Sequence, residues 1–311
     1  MPARIATFAL SAIILSSPTA AAASAKVNAP IVVGTFKEWV NPVQLPDGRL
    51  MASFVRKKPE AYQFAARFSE DSRRSWTDPQ DLLHLFEVGV GQGGQILTLP
   101  DGKHHAFLLN DANTGGRGRQ DIWQVKSQDG HRWEGLRQIW LGHTTSLNSV
   151  IQLRSGRILL PFSYRTKRSW DNRGPGSDSF SFMGNFSSTL FYSDDEGKTW
   201  QQSPTEPKTP TPDSLNPYGA IEPVVVELSD GRVWMLLRTQ LGRLYESFST
   251  NGITWSGARP TRLLSSDSPA ALMRLGKDKI VLFWNFCLRF PDARGGRQVL
   301  HAAISEDEGK T

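Results

Sequence analysis

The chain has 311 residues, with 36 Lys and Arg against 30 Asp and Glu, a formal net charge of +6 and one cysteine. The basic residues are scattered apart from RTKRSWDNR at 165–173, which argues against nucleic acid as a partner, and a lone cysteine excludes an internal disulfide scaffold. A mildly cationic surface suits an anionic ligand.

Residues 1–25 read as a secretory signal. Arg4 precedes an apolar run from Ile5 to Leu15, and SSPTAAAASA offers a small-residue exit after Ala23 or Ala25. The run is too short to span a bilayer and no later stretch is longer. The expectation is an exported protein, secreted or periplasmic, with no membrane span and a mature chain of about 286 residues.

Two phrases then alternate along the chain. The first is a turn between apolar stretches: LPDGRLM at Leu45, LPDGKHH at Leu99, LRSGRIL at Leu153, LSDGRVW at Leu228 and LGKDKIV at Leu275. A Gly- or Asp-bearing turn flanked by β-branched and aromatic residues predicts a β-hairpin. The second phrase is SEDSRRSW at Ser69, SQDGHRW at Ser127, SDDEGKTW at Ser193, STNGITW at Ser249 and SEDEGKT at Ser305. Successive serines are 58, 66, 56 and 56 residues apart.

One unit is therefore strand, turn, strand, loop, strand, box, strand, which describes a blade of a β-propeller. Sustained helical periodicity is missing, so a barrel of alternating strands and helices is excluded. The box reads as a turn lock: Ser and Asp bond the turn's own backbone, Gly supplies a positive φ, and Trp packs between blades. SEDEGKT lacks its closing Trp, so the last blade is expected to be truncated and the chain poorly soluble alone.

Counting outward from each hairpin turn gives the residues at the opposite end, the mouth. Around Asp230 these are Glu222 and Arg238, and around Asp47 they are Glu38–Trp39 and Arg56. The same count reaches Gln92 and Asn110–Asp111, Asn148 and Ser163–Tyr164, and Ser268 and Asn285. Arg297 lies eight residues before the Ser305 box and reaches the mouth from the last blade. Two long segments, 165–185 and 204–223, emerge on the same side, and Trp170, Phe180 and Phe182 in the first could stack on a sugar.

Cys287, in the apolar run IVLFWNFCL, reads as a buried thiol. The six histidines show no metal-ligand spacing, no cofactor is implied, and His104 and His105, neighbours in a strand, are expected on opposite faces.

The phrase S-x-D-x-G-x-T-W, complete at Ser193–Trp200, resembles the Asp-box of sialidases, and the resemblance covers essentially all of 26–311. It implies a six-bladed β-propeller, here five blades with part of a sixth. It also implies an exo-acting glycoside hydrolase on glycans ending in acidic, sialic acid-like sugars. By that resemblance Arg238 and Arg297 clamp the sugar carboxylate, and Arg56 stands for a second early Arg. Glu222 would activate a Tyr nucleophile expected beyond Thr311, and Glu60 is the carboxylate nearest the family's acid/base position. The family's R-I-P phrase is replaced by Val40-Asn41-Pro42, without its Arg. Two alternatives stand beside this reading: a carbohydrate-binding propeller without turnover, and a polysaccharide lyase acting on uronates.

Overall fold

The computed structural model describes residues 40–59, 61–71, 75–85, 94–110, 120–167, 185–211, 218–277, 279–287 and 296–310. Every regular element among them is a β-strand. Glu60, the signal segment, Glu38–Trp39, Gln92, Asp111, Trp170, Phe180 and Phe182 lie outside the described residues.

Five antiparallel sheets follow one another along the chain. The first blade runs β1 (Asn41–Gln44), β2 (Leu50–Lys57), β3 (Tyr62–Ser69) and β4 (Gln80–His84). The second is β5 (Gln95–Thr98), β6 (His104–Asn110), β7 (Asp121–Ser127) and β8 (Trp133–Trp140). The third is β9 (Ile151–Gln152), β10 (Ile158–Lys167), β11 (Asn185–Ser193) and β12 (Gln201–Gln202). The fourth is β13 (Ile221–Glu227), β14 (Val233–Arg238), β15 (Arg243–Ser249) and β16 (Arg259–Leu264). The fifth has three strands, β17 (Ala271–Leu275), β18 (Lys279–Asn285) and β19 (Leu300–Ser305).

Among the described residues the chain thus forms a β-propeller of five blades, with no truncated sixth, which corrects the expected six blades with a truncated last one. Each box closes the third strand of its own unit, so five boxes mark five blades. The incomplete unit is the fifth itself, with no further partial blade among the described residues.

Blades cohere through apolar layers that alternate with the sheets. Met51 and Phe64 of the first blade pack with Leu108, Val125 and Trp133 of the second. Phe107 and Ile122 of the second meet Leu160, Phe162 and Phe191 of the third, with Trp200 against them. Leu159 and Leu190 meet Met235 and Trp255, and Val226 and Leu236 meet Leu272 and Leu282. Strand alternation makes this possible, because each blade must present apolar residues on both faces. The box tryptophans Trp133, Trp200 and Trp255 lie between blades as expected. His104 and His105 face opposite sides. His104 lies near Trp133 in the layer towards the first blade, while His105 bonds Gln124 beside Gly197 of the third. Cys287 is half-buried rather than fully enclosed, because it follows β18 instead of lying within it.

The boxes lie at the hairpin-turn end, away from the mouth: Ser249 pairs with Val233, just after the Asp230 turn. In the third box Ser193 Oγ donates to Asp195 Oδ1 (2.8 Å) and accepts the Gly197 N–H (2.8 Å). The Thr199 N–H and Oγ1 donate to the two Asp195 oxygens at 2.8 and 2.7 Å. The second box repeats this pattern with Asp129 and the fourth with Asn251. Gly197 combines a φ of 69° with a close approach to the preceding blade. A Cβ there would come within 2.8 Å of Gln124 and His105.

The Thr199 backbone and hydroxyl bonds hold the Asp195 carboxyl well below the usual carboxylate range. The stability this contributes is present above the unfolded pKa near 3.9 and is lost as pH falls below it. Asp195→Ala is expected to cost about 1–3 kcal/mol, read as a lower melting temperature. Asp195→Asn should cost less, since Asn251 already fills that role in the fourth box, and should flatten part of the acid-side loss. Equal melting of Asp195→Ala and wild type would remove the turn-lock role.

Candidate functional site

The mouth end of the fourth blade is built by an irregular hairpin. Ile221 pairs with Arg238 and Val224 with Leu236, so Glu222 and Pro223 together face one residue across the ladder. Pro223 has no N–H to give a ladder, which fits a bulge at this point. Glu222 takes a φ of 50°, a conformation that disfavours a residue with a Cβ. Its N–H donates to Ser163 Oγ (3.3 Å), and that hydroxyl shares a 2.5 Å bond with Thr145 Oγ1. β13 also packs against β10 and β17 of the flanking blades.

Glu222 and Arg238 are both buried and form an ion pair, Arg238 Nη1 to Glu222 Oε2, at 2.6 Å. A second carboxylate reaches the same guanidinium: Arg238 Nε donates to Asp267 Oδ1 at 2.8 Å. Asp267 also accepts from the Tyr218 hydroxyl on Oδ1 and from Gln240 Nε2 (3.1 Å) on Oδ2. The guanidinium lies 5.7 Å from the centre of the Tyr218 ring. Arg297, exposed, donates through Nη2 to the Asp267 main-chain oxygen (3.2 Å). Asn285 Nδ2 reaches the Arg297 carbonyl at 3.3 Å.

The electrostatics follow from this packing. Burial alone would lower the Arg238 pKa, but Glu222, Tyr218 and Asp267 outweigh it and hold the pKa above its ordinary value. Burial pushes the Tyr218 phenol well above its usual range and Asp267 adds to the rise, with Arg238 opposing. Tyr218 is therefore a neutral hydrogen-bond donor at neutral pH.

Three of the residues expected from sequence are brought together here: Glu222, Arg238 and Arg297. Arg56 is not among them. It pairs with Asp81 on β4, where Lys58 joins the same carboxylate, so its charge is drawn to the outermost strand of the first blade. Tyr245, on β15, is buried in the layer between the third and fourth blades. Tyr164 donates to Glu206 Oε1 (2.5 Å) beside Ser187, a separate cluster, and burial with Glu206 pushes its pKa up to about 12.

Asp267, Tyr218 and Gln240 were not foreseen. The register count had reached Ser268, one residue past Asp267, and Tyr218 lay inside the long segment already marked at the mouth. Among the described residues no cluster of His, Cys, Asp and Glu has the arrangement of a metal site.

These features define a β-propeller of the sialidase-like, Asp-box type, with a carboxylate–guanidinium cluster at its mouth. The chain belongs to the BNR repeat-like domain family, whose model matches residues 63–311. No curated protein sequence matches it. Among solved structures it is similar to a Hadza microbial sialidase (TM-score 0.64, 15% identity, 88% of this chain and 57% of that one). It is similar also to Trypanosoma rangeli sialidase in complex with sialic acid (0.58, 14%, 86% and 46%). A third is a Dyadobacter fermentans protein of unknown function (0.62, 17%, 88% and 79%). At these identities the likeness is one of fold, and the chain spans about half the length of the two sialidases.

Proposed function

We propose that the chain is an exported glycoside hydrolase of sialidase type that cleaves terminal acidic sugars from glycans. Export rests on the character of residues 1–25. The observation that carries the activity is the Glu222–Arg238 pair, buried at 2.6 Å on a bulged, positive-φ backbone, with Arg297 arriving from the next blade. Strain and a buried ion pair at one strand end are features that catalytic positions concentrate.

In this reading Arg297 meets the sugar carboxylate with its exposed guanidinium and Arg238 contributes from beneath. Glu222 spends Oε2 on Arg238, and Oε1 has no hydrogen-bond partner among the described residues. That oxygen can accept a proton from a phenol or hydroxyl nucleophile. The nucleophile is a Tyr outside the described cluster, because Tyr218 is held protonated against Asp267. Arg56 and Glu60 are proposed as outer contributors, Arg56 by exchanging Asp81 for substrate.

A second reading, binding without turnover, is favoured by one observation. Two nitrogens of Arg238 are already bonded to protein carboxylates, so its grip on a ligand is weaker than an open guanidinium would give.

The test pairs calorimetry with a chromogenic sialoside assay. Wild type is expected to bind sialic acid and release the chromophore, and Arg297→Ala to weaken binding by about tenfold or more, as for loss of a charged hydrogen bond. Binding without turnover would move the assignment to the second reading. Binding unchanged by Arg297→Ala would remove the carboxylate contact.

A further inference from the structure

Arg238 has two edges on which a carboxylate can sit with two parallel bonds, Nε with Nη2 and Nη1 with Nη2. Asp267 takes Nε and Glu222 takes one of the two Nη1 hydrogens, so a protein carboxylate sits at each edge, and Nη2 is the nitrogen with no bond among the described residues. A ligand carboxylate therefore has to compete with Asp267 or Glu222 for the two-point contact with Arg238 that the family resemblance implies. Asp267 is not a loose competitor either. Arg238, Tyr218 and Gln240 all donate to its side chain, and its backbone oxygen receives Arg297.

The charges close as well. Arg238 and Arg297 bring two positive charges, and Glu222 and Asp267 bring two negative ones, all within a hydrogen-bonded set. A site built to attract an anion by charge would keep a surplus cation. Among the described residues this set has cancelled it with a carboxylate that also accepts from the neutral donors Tyr218 and Gln240.

We propose that Asp267 is a specificity-determining residue, a built-in counter-carboxylate that weakens the preference of this mouth for anionic sugars and admits uncharged, hydroxyl-rich ones. It deepens the glycoside reading above and rests on it. Nη2 of Arg238 then acts as a hydrogen-bond donor to hydroxyl or carbonyl oxygens, with the carboxylate contact carried by the exposed Arg297. Tyr218 and Gln240 are positioning residues that keep the Asp267 carboxylate facing Arg238.

Asp267→Asn tests this. The amide oxygen can still accept from Arg238 Nε and the Tyr218 hydroxyl; the charge is removed, and the Gln240 side-chain amide must turn over to present its oxygen to the new amide nitrogen. Calorimetry of wild type and variant with sialic acid and with its uncharged methyl ester supplies the readout, beside the melting temperature of each protein. The expected result is that sialic acid binds about tenfold tighter to the variant, the scale of one partly screened unit charge, while the ester binds both proteins alike. Sialic acid affinity that is unchanged or lower in a variant that still binds the ester normally would overturn the inference and leave the glycoside reading standing. Parallel loss of both sugars with a lower melting temperature would also overturn it, by making Asp267 structural. If neither protein binds either sugar, the glycoside reading falls and takes the inference with it.

Discussion

On the proposed glycoside hydrolase reading, Glu222→Gln is expected to slow turnover by about 10²–10⁴-fold, the usual contribution of a positioned acid–base group, with little change in sugar affinity. The amide is isosteric and can still accept from Arg238 Nη1 through its oxygen, and Asp267 continues to hold Nε, so Arg238 keeps its place. The backbone N–H bond to Ser163 is untouched, so the bulge and its positive φ persist. The loss therefore falls on proton transfer at Oε1 rather than on recognition. In kinetic terms kcat and kcat/KM should drop together while the calorimetric affinity for sialic acid stays within a few-fold. A variant that turns over at the wild-type rate would show that Glu222 serves packing and charge balance alone.

Arg238→Met is expected to be the most destabilising single change at the mouth, by about 3–5 kcal/mol. The guanidinium lies between two carboxylates, and the side chains of Glu222, Arg238 and Asp267 are 9%, 10% and 13% exposed. Removing the cation leaves two like charges facing each other in a site with little water to screen them. For a chain of this size that corresponds to a fall in melting temperature of roughly 10 °C. The cause can be separated from lost packing. Adding Glu222→Gln and Asp267→Asn to Arg238→Met removes the uncompensated charges and should restore most of the loss, whereas a packing defect would persist. Arg238→Lys should be milder, since it keeps the charge but supplies one nitrogen where Arg238 supplies two to the carboxylates. Melting of Arg238→Met at the wild-type temperature would mean that the two carboxylates do not depend on this cation.

The cluster also explains why part of the site was legible and part was not. Glu222 and Arg238 were found by counting eight residues each way from Asp230, yet the actual partner of Arg238 in the ladder is Ile221. The bulge shifts the pairing by one residue, and the count succeeded because a side chain as long as arginine bridges that offset. Arg297 was placed by the same arithmetic applied to the Ser305 box, and Asn285, also on the mouth count, bonds its carbonyl. Arg56 satisfied the count equally well but was captured by Asp81, 25 residues away in sequence, because β3 brings β2 and β4 onto one sheet.

What the sequence by itself determined is whatever depends on neighbours in the chain. Turn residues at Asp230, box residues at Ser193 and Asp195, and the strand alternation between them act over a few positions. The blade plan, the box geometry and the end at which Glu222 lies therefore follow from local pattern. The five units counted from the boxes belong to this class, whereas the partial sixth blade that came with the family resemblance has no counterpart among the described residues. Tertiary structure alone decided the partners of Arg238. Asp267 and Tyr218 lie 29 and 20 residues from it and arrive from the connections into neighbouring strands, where no periodicity constrains direction. Those contacts exist because burial leaves a charged group no water to turn to, so the packed blades must supply its counter-charges, and which residues do so is fixed only when the blades close on one another.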